Sequence, residues 1–122
     1  MPKRVLLAED DPFIIDIYAS QLKSDGYTVD IAIDGQMALE KIKNTHPDIL
    51  LLDITMPKIT GWELLKLVRD DPGTKDLKVI VISNLDHDEC TSIGAPLGVL
   101  KCFLKVQTTP DEISKAVKEI LN

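Results

Sequence analysis

Asp53 closes the apolar run Ile49-Leu50-Leu51-Leu52, and Thr55-Met56-Pro57 follows at once. Glu9, Asp10 and Asp11 close a second apolar run, Val5-Leu6-Leu7-Ala8. If both runs are parallel strands, all these acids meet at one end of a sheet. Like charges about 4 Å apart repel by roughly 4 kcal/mol at an effective dielectric near 20, so the cluster needs a cation. Neither motif contains His or Cys. Oxygen-only ligands point to a hard ion such as Mg²⁺. Ser83 follows a third apolar run, Val79-Ile80-Val81-Ile82, and Lys105 follows Lys101-Cys102-Phe103-Leu104. A carboxylate, a metal site, a hydroxyl and an ammonium on one edge suit phosphoryl transfer. Asp53 is then the nucleophile that forms an acyl phosphate, and Ser83 and Lys105 bind the phosphoryl group.

The elements that must position these groups alternate between strand-like and helix-like throughout, the pattern of a parallel sheet with crossover helices. Ile49 to Leu52 reads as a strand buried on both faces, and Pro57 cannot extend it because it has no N–H for the ladder. Strands are expected near 4–8, 28–33, 49–52, 79–82 and 101–104. Asp11-Pro12 opens the first helix, with Asp11 as cap rather than ligand, and Gly26 ends it. Helix two is expected over 35–44 and breaks at His46-Pro47. Thr60-Gly61 starts helix three. Thr109-Pro110-Asp111-Glu112 is a capping box for helix five. Helix four, expected over 86–97, carries Gly94 and Pro96 and should be short, frayed or displaced. An interior proline costs a helix about 3 kcal/mol. Strands two and five read as edges. The expected fold is therefore α/β, a flavodoxin-like doubly wound five-stranded parallel sheet of order 2-1-3-4-5 with five helices. Its switch point lies beside strands one and three, where ligands bind.

Composition narrows the function classes. The 122 residues suit one domain, expected to span 1–122 with no output domain after Asn122. A net charge of −6 argues against direct nucleic-acid binding, which needs clustered Lys and Arg. The apolar runs are too short to insert in a membrane, and no signal-peptide pattern precedes strand one, so a cytoplasmic location is expected. Cys90 and Cys102 show no metal-ligand spacing and read as free thiols. His46 and His87 read as exposed, and Trp62 as packing at the start of helix three.

These residues resemble the receiver domain of two-component response regulators, of the single-domain, chemotaxis type. The matching positions are Glu9-Asp10, Asp53 to Pro57 with Gly61, Ser83 and Lys105. Their intervals are 43 residues from Asp10 to Asp53, 30 to Ser83 and 22 to Lys105. The resemblance implies that Asp53 takes a phosphoryl group from a histidine kinase or phosphotransfer protein. It implies that Asp10, Asp53 and the backbone carbonyl of Thr55 ligate Mg²⁺, with Glu9 acting through water. Output then passes to a downstream protein through the face of helix four, strand five and helix five. Beyond transfer onto and off Asp53 itself, no enzyme activity is expected.

The sequence departs from the family at two places. Val106 stands where the family has a proline after the lysine. Cys102 stands where it has an aromatic three residues before that lysine, and Phe103 should face the other side of the strand. Leu85, two residues after Ser83, cannot orient an attacking water, so a long-lived acyl phosphate is expected. Without an aromatic lever, the mobile part is expected to be the weak segment 86–97. Two other classes compete: an unphosphorylated receiver-like interaction module, and an aspartyl-phosphate phosphatase. The phosphatase needs a second Asp two residues after the nucleophile, where this chain has Thr55.

Overall fold

Ile49, Leu50, Leu51 and Leu52 are fully buried, and their strand is the centre of the sheet. The structure, a computed structural model, describes residues 2–84 and 87–122. Five parallel strands run in the order β2-β1-β3-β4-β5, with β1 Arg4–Ala8, β2 Thr28–Ala32, β3 Ile49–Leu52, β4 Lys78–Ser83 and β5 Val99–Leu104. Successive side chains of a strand point to opposite faces. One face therefore collects Leu6, Ala8, Leu50, Leu52, Val79 and Val81 against α2 (Gly35–Thr45) and α3 (Gly61–Asp70). The other collects Val5, Leu7, Ile49, Leu51, Ile80 and Ile82 against α1 (Pro12–Ser24) and α5 (Pro110–Leu121). Each fully buried Leu or Ile contributes about 1.5–3 kcal/mol relative to exposure, so these two layers hold the domain together.

The helix starts follow their caps. Asp11 accepts from the Phe13 N–H at 2.9 Å, and Pro12 fills the first helical position. Asp34 accepts from the Met37 N–H at 2.8 Å. Thr60 accepts from Glu63, and Thr109 from Glu112, through their hydroxyls. At the C-terminus of α2, exposed His46 adopts a left-handed conformation with φ 48°, and Pro47 prevents continuation. The edge strand β2 stops at Ala32, one residue short of the expected end, and Ile33 is half exposed. Its polar position is explained by Asp30, which accepts from Arg4 Nη1 at 2.8 Å.

Among the described residues, helix four keeps one turn of α-helix, His87–Glu89, here called α4. A π-helical turn, Cys90–Gly94, and a 3₁₀ turn, Ala95–Leu97, complete the segment. Pro96 lacks an N–H and its ring opposes a preceding carbonyl, so a regular α-helix cannot run through it. Residues 85 and 86, which include the expected first residue of this helix and the Leu85 position, lie outside the described residues.

The sequence reading of the cysteines as free thiols is corrected by the fold. Cys90 and Cys102 form a disulfide, with their Cα atoms 6.4 Å apart. Linear spacing cannot reveal such a pair, because bridging depends on proximity in space. A register shift in the pairing of β4 with β5 sets up this proximity. Val79 lies opposite Val99 but Ile80 lies opposite Lys101, so Leu100 is the extra residue of a bulge. A one-residue slip exchanges the faces of every later side chain. Val99 and Cys102 consequently share the face of α3, while Phe103 packs on the face of α1 and α5.

Candidate functional site

β1 and β3 are neighbours with Ala8 opposite Leu52, so the residues after them leave the sheet side by side. The Asp53 N–H donates to the Ala8 carbonyl at 3.0 Å, and the Glu9 N–H to the Ala32 carbonyl at 2.9 Å. These bonds fix the starts of both loops. Ser83 ends β4 opposite Leu104, and Lys105 follows Leu104 directly, in a short 3₁₀ turn, Lys105–Gln107. No cis peptide bond occurs among the described residues, and Val106 follows Lys105 in that turn.

Lys105 joins the two acidic strand ends. Its Nζ lies 2.9 Å from Asp53 Oδ2 and 2.5 Å from Glu9 Oε1. The other Asp53 oxygen accepts from the Thr55 N–H at 3.1 Å and from the Thr55 hydroxyl at 2.9 Å. Glu9 Oε2 accepts from the N–H groups of Asp10 and Asp11, at 3.0 and 3.1 Å. Both carboxylates are buried, whereas Asp10 is exposed. Burial alone pushes the Asp53 carboxyl up, but the hydrogen bonds from Lys105 and Thr55 outweigh it and hold Asp53 below its usual range. For Glu9 burial prevails over the Lys105 hydrogen bond, and its carboxyl is raised. Burial disfavours the Lys105 ammonium, yet its bonds to Glu9 and Asp53 raise it overall.

Carboxylate oxygens of Glu9, Asp10 and Asp53 lie within 4.8 Å of one another. Three carboxylates against one ammonium leave two negative charges to balance. That charge and the all-oxygen donor set fit a divalent hard cation. A second observation points to an anionic guest. The Ser83 hydroxyl is buried without a hydrogen-bond partner among the described residues, and a buried unpaired hydroxyl costs free energy until a ligand meets it.

The loop from Asp53 to Thr60 is held by two close approaches. The Gly61 N–H donates to the Ile54 carbonyl at 3.0 Å, and the Gly35 N–H to the Pro57 carbonyl at 3.3 Å. Lys58, in the left-handed region with φ 72°, points its Nζ at Asp34 from 3.5 Å. Lys58 was not among the residues singled out in the sequence. No residue type marks that lysine, because its placement follows from the turn after Pro57. Trp62 packs beneath the start of α3, as expected, with its Nε1 buried and unpartnered among the described residues.

The family model of the response regulator receiver domain matches residues 5–118, a span that includes every residue of this cluster. The chain belongs to the response regulator receiver domain family. Among curated relatives, the alkaline phosphatase synthesis transcriptional regulatory protein PhoP of Bacillus subtilis is 29% identical over 99% of this chain and 49% of that protein. The receiver domain spans about half or less of the length of the curated relatives it matches. Among solved structures, chemotaxis response regulator CheY4 of Vibrio cholerae superposes with a TM-score of 0.89 at 26% identity, covering 98% of this chain and 99% of that one. A putative response regulator from Chloroflexus aurantiacus gives 0.90 at 30% identity, covering 99% and 98%. The receiver fold and membership of the response regulator receiver family are thereby established. Among the described residues, no helix is long and apolar enough to cross a membrane.

Proposed function

We propose that this receiver domain accepts a phosphoryl group on Asp53 from the phosphohistidine of a histidine kinase or phosphotransfer protein. The observation that carries this reading is the grip on Asp53. One oxygen is held by Lys105 and the other by Thr55, so the carboxylate stays ionised and fixed at the strand end. Attack by Asp53 on phosphorus forms the acyl phosphate as the P–N bond to the donor imidazole breaks, and the imidazole takes up a proton. Asp10, Asp53 and the Thr55 carbonyl would hold Mg²⁺, with Glu9 acting through water. The ion would neutralise the phosphoryl oxygens and the acidic pair. Lys105 shifts from Asp53 to a phosphoryl oxygen, and Ser83 donates its unpaired hydroxyl to another. Exposed Phe13 and Val106, at the start of α1 and just after Lys105, give a protein donor apolar ground beside the acidic centre. Output runs through protein contacts on the face of α4, β5 and α5, in the cytoplasm. The domain turns over only its own acyl phosphate.

Incubation with acetyl phosphate and Mg²⁺, followed by intact-mass measurement, tests this. One phosphoryl group should appear on the wild type and none on Asp53→Ala. Labelling of the variant at the wild-type level would overturn the assignment. A wild type that takes no label would leave an unphosphorylated interaction module as the reading.

A further inference from the structure

Between Ser83 and Lys105 the chain leaves the proposed phosphoryl site, passes through the irregular segment and returns along β5. The disulfide ties Cys90, early in that excursion, to Cys102 of β5, three residues before Lys105. The described part of the segment is irregular along most of its length. Among the described residues its α-helix is a single turn, followed by a π turn and a 3₁₀ turn containing Pro96. Its C-terminal end is fastened by Arg69, whose Nε donates to the Leu97 carbonyl at 2.7 Å. Its N-terminal half packs into the core through buried Cys90. Cys90 is buried, but Cys102 is only partly so. Cys90, Thr91, Lys101, Cys102 and Phe103 line an open pocket of about 390 Å³, large enough for a small thiol.

We propose that Cys90 and Cys102 form a thiol–disulfide exchange site that gates the phosphorylation response. The substrate class is a small thiol or an exposed protein dithiol. Cys102 is the more exposed residue of the pair, since Cys90 is 3% exposed, so exchange starts at Cys102. A reductant thiolate bonds to Cys102 Sγ, the Cys90–Cys102 bond breaks, and Cys90 leaves as a thiolate that takes a proton. A second thiolate then bonds to the reductant's sulfur and releases Cys102. Two thiols are oxidised to one disulfide as the protein disulfide is reduced to two thiols. In the disulfide form the segment is clamped to β5 and cannot rearrange when Ser83 engages a phosphoryl group. In the dithiol form the clamp is gone, and Gly94, Pro96 and the π turn leave a segment that opens locally at low cost. This gating rests on Asp53 being the phosphoryl acceptor, whereas the exchange chemistry stands apart from it.

The experiment uses the full chain in both redox forms. Alkylation in denaturant, read by intact mass, should find no free thiol in protein kept from reductant. It should find two after treatment of the native protein with a small thiol. Two free thiols even after a mild disulfide oxidant, or resistance of the native disulfide to every small thiol, would overturn the exchange site. Amide hydrogen exchange of residues 87–97 is then followed with and without beryllofluoride and Mg²⁺. The segment should exchange about tenfold faster in the dithiol form and respond to beryllofluoride only there. An equal response in both forms, or none in either, would overturn the gating. Acetyl phosphate labelling of both forms separates the two proposals. Absent labelling defeats Asp53 as acceptor and leaves the alkylation result intact.

Discussion

Lys105 faces two buried carboxylates with a single ammonium, and this imbalance governs how the site responds to ions and protons. Asp53 is held below its usual range, so its contribution to stability is fully present above about pH 3.9 and is lost as pH falls through the lower folded value. Glu9 acts in the opposite sense. Its raised carboxyl favours the folded state at low pH, and that preference fades as pH rises from about 4.3 to the folded value. Removing the ammonium leaves two buried carboxylates side by side. Lys105→Ala should lose about 3–5 kcal/mol of stability near neutral pH without divalent ions. The variant should gain stability on mild acidification, where one carboxylate takes a proton, and should show a larger Mg²⁺-dependent rise in Tm than the wild type. Thermal unfolding with and without Mg²⁺ across this pH range measures all three. A Mg²⁺ response no larger than the wild type's would refute this balance of charges. The acids, Ser83 and Lys105 could be read from the sequence because each ends an apolar run. The ranking of Glu9 against Asp10 gained a physical basis only from the fold. Glu9 is occupied by Lys105 and two backbone N–H groups, whereas Asp10 faces solvent.

The loop between β3 and α3 aims Asp53 and Thr55, and its path depends on Gly61. A Cβ at Gly61 would meet the Ile54 Cα at 2.6 Å, and Ile54 is the residue directly after Asp53. The obstacle is backbone, so no side-chain rotation relieves it. Gly61→Ala should therefore cost about 1–3 kcal/mol, as overpacking does, and should slow acetyl phosphate labelling of Asp53. Gly73→Ala is the control, because its nearest neighbour would be an Asp71 carboxylate oxygen at 3.4 Å. Urea unfolding and a labelling time course on both variants make the comparison. Equal behaviour of the two would sink the argument. The regular elements were readable because caps, breakers and apolar spacing agreed with one another. β5 was readable from Lys101 to Leu104, but its first two residues and its bulge were not, since neither glycine nor proline marks the bulge. Leu100 is set outside the ladder by the packing of Val99 and Cys102, which are far in sequence from what they touch. For α4, Gly94 and Pro96 foretold the weakness but not the π turn that replaced the helix.

Both sheet faces are covered by helices, but the cover is uneven. α1 and α5 are long and packed on one face, whereas the other face ends in the irregular segment beside β5. The order of the strands followed from which runs were wholly apolar, so the architecture was predictable. The crosslink was not, because it joins positions that only the bulge and the π turn bring together. Its effect on the whole domain is calculable from chain connectivity. Cys90 and Cys102 are 12 residues apart, and closing a loop of about 15 residues removes roughly 3 kcal/mol of unfolded-state entropy. Reduction should therefore lower the stability of the whole domain by about 3 kcal/mol, a fall in Tm of roughly 10 °C. The reduced unfolded chain is also less compact, so the urea m-value should rise on reduction. Cys90→Ser/Cys102→Ser should match the reduced wild type, apart from the cost of a buried hydroxyl at position 90. Urea unfolding monitored by Trp62 fluorescence, in paired oxidised and reduced samples, measures both quantities. Equal stability in the two states would mean that the covalent link adds nothing to what the core already holds. A stability difference with an unchanged m-value would place the effect in the native state, through packing around Cys90, rather than in the unfolded chain.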